Sequence, residues 1–460
     1  MSEVLKEFTK KAQKKAFDKD HRKIIKFNIS RYNNAVIEGK KQYVNLELAR
    51  KRAEALKQKS INELDDYLIE FEGKFSERGG KVIWAPEAKD AIKEILSILK
   101  KHRAKTVVKS KSMTTEEIEF NEALKKKKIE SLETDLGEYI VQIADEKPYH
   151  IVTPAMHKSK ENIAELFNEK FGTDKNSSPE ELTAFVRDLL REKFTDADVG
   201  VTGANFIISD IGAIGLTENE GNGLMSVSFP KVHIVIVGIE KVIPSLEDLD
   251  LFLPLLATNG TGQKITVYNS IISGPKQENE VDGPEEMYVI LLDNKRTELL
   301  KHKIQRVALN CIRCGACLNA CPVYKNIGGH TFGTTYSGPI GSVISPFMNG
   351  IKDYKHLSFA SSLCGKCSDV CPVRIPLHEL LLYNRNYFVR KKHTTGIERL
   401  SMYGYKKVMK KRSLLDMSSG STKNFFMKIF VKKTWGPRRE LPIVEQKSFN
   451  KLWKEKKGLK

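Results

Sequence analysis

A chain of 460 residues, 40% hydrophobic and 29% charged, is long enough for several cores, on the order of three domains at ~150 residues each. Its strongest apolar runs, such as Val232–Ile239 and Leu251–Leu256, fall far short of the ~20 residues of a membrane helix, which excludes a helical membrane protein. The net charge is +19, but residues 391–460 alone carry 20 Lys or Arg against 5 Asp or Glu, so the basic character belongs to a tail and not to a nucleic-acid groove.

The chain start, Met1-Ser-Glu-Val-Leu-Lys-Glu-Phe, lacks the basic-then-apolar pattern of a secretory signal, and a cytoplasmic location is expected. Residues 1–78 read as a helical arm: Leu, Ile, Phe and Ala recur at three- and four-residue spacing among Lys and Glu, with few Gly and no Pro before Gly79. Such an arm packs on the next domain or on a partner.

After Gly79-Gly80, short β-branched runs alternate with amphipathic segments. Strands are expected at 81–84, 106–109, 139–142 and 150–153, with helices at 88–101, 115–128 and 159–171. Further strands are expected at 206–209, 213–217, 232–238, 265–268 and 287–292. The alternation predicts an α/β domain over 79–293 with a mostly parallel sheet covered by helices. A polar, turn-rich loop, Ser273–Pro284, precedes the last strand, and residues 294–310 form a basic helical lead into the cysteines. Residues 294–385 then read as a cluster-binding domain, and 386–460 as a basic C-terminal region suited to an acidic partner or an anionic membrane surface.

All seven cysteines fall between Cys311 and Cys371, a distribution unlike a secreted disulfide framework. The first block, Cys311-Ile-Arg-Cys314-Gly-Ala-Cys317-Leu-Asn-Ala-Cys321-Pro322, is C-x2-C-x2-C-x3-C-P, the run in which the fourth cysteine of a two-cluster ferredoxin serves the other cluster. The second, Cys364-Gly-Lys-Cys367-Ser-Asp-Val-Cys371-Pro372, repeats it with Ser361 at the first position. Crossed ligation assigns Cys311, Cys314, Cys317 and Cys371 to one [4Fe–4S] cluster and Cys321, Cys364 and Cys367 to a second, one thiolate short. Its outcomes are a [4Fe–4S] cluster with a non-cysteine or external ligand, a [3Fe–4S] cluster, or a cuboid that loses an iron; a [4Fe–4S] cluster is favoured, and a Ser361 alkoxide is a poor soft-metal ligand. Zinc also uses C-x2-C pairs, but seven thiolates divide poorly into tetrahedral sites and zinc needs no proline after each block. Gly315 and Gly365 let backbone amides approach cluster sulfurs. Arg313, Lys325, Lys366 and Arg374 either offset cluster charge or are ordinary surface charge. Between the blocks, the glycines of 327–341 read as a close-packed loop shielding a cluster, with His330 structural, since no strand and Walker lysine frame a phosphate site.

A second candidate lies in the α/β domain. Thr202-Gly-Ala-Asn205 precedes one strand and Glu218-Asn-Glu220-Gly-Asn-Gly223 follows the next, and open α/β sheets bind ligands at strand ends. Asn205, Glu218 and Glu220 are therefore candidate pocket residues, although tight turns prefer the same types. Lys109-Ser-Lys-Ser-Met113 offers lysines and a helix start to an anion. No nucleophile–base pair is legible, so catalytic residues are unknown.

Together, Val108-Lys-Ser-Lys-Ser-Met113, Thr202-Gly-Ala-Asn-Phe206, Asn219-Glu-Gly-Asn-Gly223, Pro230-Lys-Val-His233, the Cys311–Pro322 block and Trp435-Gly-Pro-Arg-Arg439 closely resemble the lactate utilization protein B family over nearly the whole chain. The resemblance implies an α/β LUD-type domain of the sugar-isomerase/CoA-transferase-like fold and an α-helical dicluster ferredoxin-like domain. It carries the same four-plus-three ligand sets onto the cysteines. It also implies an electron-transfer component, rather than a stand-alone enzyme, in a cytosolic system oxidising L-lactate to pyruvate with lactate utilization proteins A and C as partners. Two rivals stand beside it: an α/β-domain enzyme acting on an acyl or phosphorylated substrate with accessory clusters, and a redox-sensing scaffold.

Overall fold

In the computed structural model, residues 2–436 and 439–457 are described; Pro437 and Arg438 of the tail motif and residues 458–460 lie outside them. Four helices open the chain, α1 (Glu3–Ala16), α2 (Lys19–Gly39), α3 (Leu46–Asn62) and α4 (Leu64–Glu77). Ser2, Asp18 and Asn45 cap the first three by accepting a backbone N–H, which satisfies donors that a helix start leaves free. Ile25, Ile29, Ala53 and Ile61 enter the same core as Ile312, Leu318, Tyr324 and Val343 of the cysteine segment. The arm is thus folded against the cysteine-bearing half of the chain. Residues 2–387 pack as one unit, and 388–457 belong to another.

A six-stranded, wholly parallel sheet forms the centre of the α/β region. Its strands are β1 (Lys81–Ala85), β2 (Thr106–Lys109), β3 (Glu130–Glu133), β4 (Val199–Thr202), β7 (Val232–Gly238) and β10 (Glu286–Leu292), in the order β1-β10-β7-β4-β2-β3. A smaller sheet of β5 (Phe206–Ile208), β6 (Ala213–Glu218), β8 (Val242–Ile243) and β9 (Tyr268–Ile272) runs β8-β5-β6-β9, with β6 antiparallel to both neighbours. Both faces of the large sheet are covered: Ile95, Leu99 and Leu124 pack on one, and Phe71, Phe75 and Ile214 on the other. After β2 the chain steps outward to β3, then returns on the other side of β2 to β4, β7 and β10. Strand order therefore reverses between β2 and β4, where the ends of open α/β sheets leave a crevice.

The alternation of strand and helix is as expected, with local exceptions. Residues 139–142, expected as a strand, lie in the helix Leu136–Ile143. Asp135 caps that helix, and Leu136, Tyr139, Ile140 and Ile143 pack on one apolar cluster at helical spacing. Residues 150–153 form a turn in which His150 Nδ1 accepts from the amides of Val152 and Thr153 at 3.1 and 3.2 Å. The helix expected over 115–128 is two, Met113–Glu117 and Phe120–Lys126, because Glu119 between them is left-handed. The strand expected at 265–268 begins only at Tyr268.

The cysteine segment is a chain of short helices, including Ala316–Ala320, Pro322–Ile327, Gly338–Met348 and Lys366–Asp369. Pro322 sits at the first turn of its helix, where its missing N–H costs nothing. In the other unit, Gly396–Lys410 is a helix with a Thr395/Glu398 capping box that leaves Ile397, Leu400 and Tyr403 exposed among its lysines. Among the described residues, no helix is long and apolar enough to cross a membrane.

Candidate functional site: the cysteine centres and the adjoining cleft

Cys311, Cys314, Cys317 and Cys371 wall one small cavity whose remaining lining is mainly apolar, with Ile151, Ile312, Ile340, Val373, Ile375 and Leu377. Burial, followed by the charge of the neighbouring thiols, pushes Cys314 and Cys317 well up, and burial raises Cys371 to about 12. Four thiols crowded in an apolar cage with no disulfide among them fit a soft cationic centre that would hold them as thiolates. Cys321, Cys364 and Cys367 form a separate group. Each of Cys321 and Cys367 is raised by burial, with Cys364 contributing in both cases. Cys364 itself is exposed, and the Lys366 amide lowers it. One set of sulfurs is therefore enclosed and the other reaches the surface.

Backbone geometry arranges donors around these sulfurs. The amides of Arg313, Tyr324 and Ile375 donate to Cys311, Cys321 and Cys371 Sγ at 3.4, 3.5 and 3.3 Å. Gly315 turns left-handed with φ +79°, and a Cβ there would meet Val152 Cγ2 at 3.0 Å, so the loop closes on the 150–153 turn only with glycine. Helix α3 supports the far side: Arg50 donates to the Cys371 carbonyl at 2.9 and 3.1 Å and to the Asp369 carbonyl at 2.9 Å. Ser361, which stands in for the missing cysteine, accepts the Leu363 amide at 3.1 Å in a local turn. His330 Nε2 donates to the Lys147 carbonyl at 2.6 Å, and the ring stands edge-on to Tyr149 and His157.

A cleft of about 350 Å³ opens at the strand-order reversal. Ser110–Thr114 after β2, Gly203–Asn205 after β4, and Glu240 and Lys241 after β7 line it. Glu218 and Glu220 line it from the end of β6, and Arg313 and Cys314 close it from the cysteine loop. The candidate residues of the α/β domain thus meet in one place, and that place touches the four-cysteine centre. Several have structural work there. Asn205 Oδ1 accepts the Thr217 amide at 3.0 Å, and Glu218 caps the helix Asn222–Ser228 through the amides of Gly223 and Leu224 at 2.6 and 2.8 Å. Glu220 accepts the Leu136 amide at 3.0 Å; burial and the nearby Asp135 raise its carboxyl to about 7.

The two lysines of the Lys109-Ser-Lys motif part company. Lys111 lines the cleft, its ammonium on the Val152 carbonyl at 2.7 Å. Lys109 turns the other way, fully buried, and pairs with Glu133 at 2.9 Å and Thr115 at 2.9 Å, so it is not available to an anion in the cleft.

Beneath the cleft runs a buried charge ladder that composition alone does not reveal. Arg296 forks onto Glu117 at 2.8 and 2.9 Å and also binds Glu240. Glu240 accepts from Arg313 at 3.2 Å, and Arg313 lies over the Tyr336 ring at 4.3 Å. Burial opposes ionisation of Glu240, yet Arg296 and Arg313 hold its carboxyl down at about 2. Lys57 of α3, itself buried, donates to the carbonyls of Glu240 and Val242 at 2.7 and 3.0 Å, and burial brings it down to about 7. Lys241 has no hydrogen-bond or ion-pair partner among the described residues; burial and then Arg313 lower it to about 8. A Glu-Lys pair directly after the fully buried strand Val232–Gly238 is the sequence signal that marks this position.

Residues 68–292 match the LUD domain family, and residues 307–375 match the 4Fe-4S dicluster domain. Lactate utilization protein B of Bacillus pumilus (strain SAFR-032) is 44% identical over 424 residues, covering 90% of this chain and 89% of its own. The proteins of that description from Bacillus cytotoxicus and Bacillus thuringiensis (strain Al Hakam) are each 43% identical over 426 residues, with 90% of both chains covered. Among solved structures, a DUF162 family protein from Deinococcus radiodurans aligns at 16% identity with a TM-score of 0.26, covering 50% of this chain and 98% of that one.

Proposed function

Because this chain belongs to the lactate utilization protein B family and serves lactate utilization, we propose that it is the iron–sulfur electron-transfer component of a multi-subunit system that oxidises L-lactate to pyruvate. Lactate utilization proteins A and C are its proposed partners, and the same membership supports the sugar-isomerase/CoA-transferase-like assignment of the LUD domain. The observation that carries the proposal is the division of seven thiols into four that wall one cavity and three grouped around the exposed Cys364. Cys311, Cys314, Cys317 and Cys371 would hold one [4Fe–4S] cluster, and Cys321, Cys364 and Cys367 the second, with one iron lacking a cysteine ligand.

When bound, such clusters take up and release single electrons. The chain's own residues set the terms of that exchange. The apolar side chains around the enclosed four exclude water, and the amides of Arg313 and Ile375 donate to Sγ atoms, which disperses sulfur charge and favours the reduced state. The exposure of Cys364 suits contact with a partner.

Anaerobic purification with iron and sulfide analysis, followed by EPR of the dithionite-reduced protein, tests the core of this assignment. Two paramagnetic clusters are expected. Stoichiometric zinc with no EPR signal would sink it.

A further inference from the structure

The cleft holds three donors that the fold leaves unused. Lys241 carries an ammonium without a partner among the described residues. Arg313 gives Nη2 to Glu240, but its Nη1 is buried without an acceptor. Ser110, 4% exposed, lines the cleft with a buried hydroxyl that has no hydrogen-bond partner among the described residues. Unpaired buried donors cost free energy unless something completes them, and here two of them, Arg313 Nη1 and Ser110 Oγ, meet a half-buried ammonium in one crevice. They lie after β2, after β7 and on the cysteine loop, so the crevice at the strand-order reversal brings them together.

The charge balance indicates what completes them. Glu117 and Glu240 face Arg296, Arg313 and Lys241, one positive charge over, while Lys57, lowered to about 7, spends its donors on the Glu240 and Val242 carbonyls. The opposite end carries Asp135 and Glu218, with Glu220 partly protonated near neutral pH, against Lys111 alone, a poor setting for a second negative charge. A monoanion with an uncharged remainder fits both ends; a dianion such as phosphate fits neither as well.

We propose that this cleft binds a small organic acid, its carboxylate held by Lys241 and Arg313 and its uncharged remainder reached by Ser110, directly against the Cys314 loop. The site goes beyond the electron-transfer role: it makes this chain the holder of a carboxylate, and it stands on unpaired donors whether or not the clusters carry electrons. Its place beside Cys314 puts the bound acid next to the enclosed centre and away from Cys364.

The test is calorimetric titration of the anaerobically purified full chain with L-lactate, pyruvate and inorganic phosphate, with iron content and EPR recorded on each sample. One carboxylate per chain is expected, with phosphate at least about tenfold weaker, the size of one charge-assisted contact. Lys241→Gln should weaken carboxylate binding by about tenfold or more, and Ser110→Ala by roughly threefold, with iron content unchanged. Absence of saturable carboxylate binding to the wild-type chain overturns the site, as does phosphate binding more tightly than both acids. Unchanged affinity in both variants overturns the residue assignment. If Lys241→Gln fails to fold, Ser110→Ala and the wild-type preference decide. A chain that binds the acid but shows no paramagnetic cluster would refute the electron-transfer role and leave this site standing.

Discussion

Replacing Arg296 with Met tests the charge ladder that joins the α/β domain to the cysteine loop. Arg296 is 2% exposed and makes four bonds: two parallel ones to Glu117, one to Glu240 and one to the Asp293 carbonyl. Removing one partner of a buried ion pair costs about 3–5 kcal/mol, mostly because a charge is left without compensation. Here the orphaned carboxylates keep some support. Glu117 still accepts from Tyr336 Oη at 2.6 Å and Asn294 Nδ2 at 2.7 Å, and Glu240 still has Arg313. The expected loss is therefore at the low end, about 3 kcal/mol. In the double variant with Glu117→Gln, one uncompensated charge is gone, and about 1–2 kcal/mol should return. Anaerobic urea unfolding followed by circular dichroism measures both. Because Glu240 would then pull harder on Arg313 beside Cys311, iron should also be lost faster to a chelator. A single variant within about 1 kcal/mol of the wild type, or a double variant as costly as the single, would refute the ladder as a structural joint.

Four other outcomes are expected. Lys57→Met strands the carbonyls of Glu240 and Val242 and should cost about 2 kcal/mol in the same unfolding assay. Gly329→Ala would put a Cβ at 1.8 Å from the Tyr149 carbonyl, so the loop must shift; a loss of about 1–3 kcal/mol is expected, and an unchanged melting temperature would count against the close packing. Glu286 is held down at about 2, first by the Lys101 bond and then by Lys81, so its contribution is present above the unfolded value near 4.5 and fades as pH falls towards 2. Being partly exposed, it is worth about 1 kcal/mol, and the stability gap between wild type and Glu286→Gln should narrow between pH 6 and pH 3; a constant gap would contradict it. Cys317→Ala and Cys364→Ala should each remove one of two EPR signals, and a different one in each case.

Much of the sheet was legible because its central strands are buried and flanked by helices, so β7 reads as a mainly β-branched run and β10 as an apolar one. The elements that were missed are those where local sequence speaks weakly or for the wrong period. Residues 139–142, Tyr-Ile-Val-Gln, look like a strand until Asp135 is seen as a cap. β3 reads Glu-Ser-Leu-Glu and owes its strand state to pairing with β2 and not to propensity, while β4, Val-Gly-Val-Thr on the other side of β2, is short and interrupted by Gly200. The second sheet has β8 of two residues, below what any periodicity can signal.

The cysteine spacing encodes its own grouping because covalent geometry and a tight turn leave few ways to arrange C-x2-C-x2-C, and the structure brings Cys371 across 50 or more residues to the first three. The cleft is a different kind of object. Asn205, Glu218 and Glu220 drew notice as polar strand-end residues that could line a pocket, yet each gives at least one acceptor to a backbone amide. Lys241 and Arg313 are two of 77 basic residues, and along the chain only their places, Lys241 in a Glu-Lys pair after a buried strand and Arg313 inside the cysteine run, set them apart from surface charge. What distinguishes them is the accounting of partners: Glu240 is already shared between Arg296 and Arg313, so Lys241 at the end of the adjoining buried strand has no carboxylate left to meet. That surplus arises only when β7, the helix beginning at Arg296 and the Cys311 loop are brought together, so it belongs to the tertiary structure, and it is also what makes an incoming carboxylate the natural third carboxylate of the ladder, after Glu117 and Glu240.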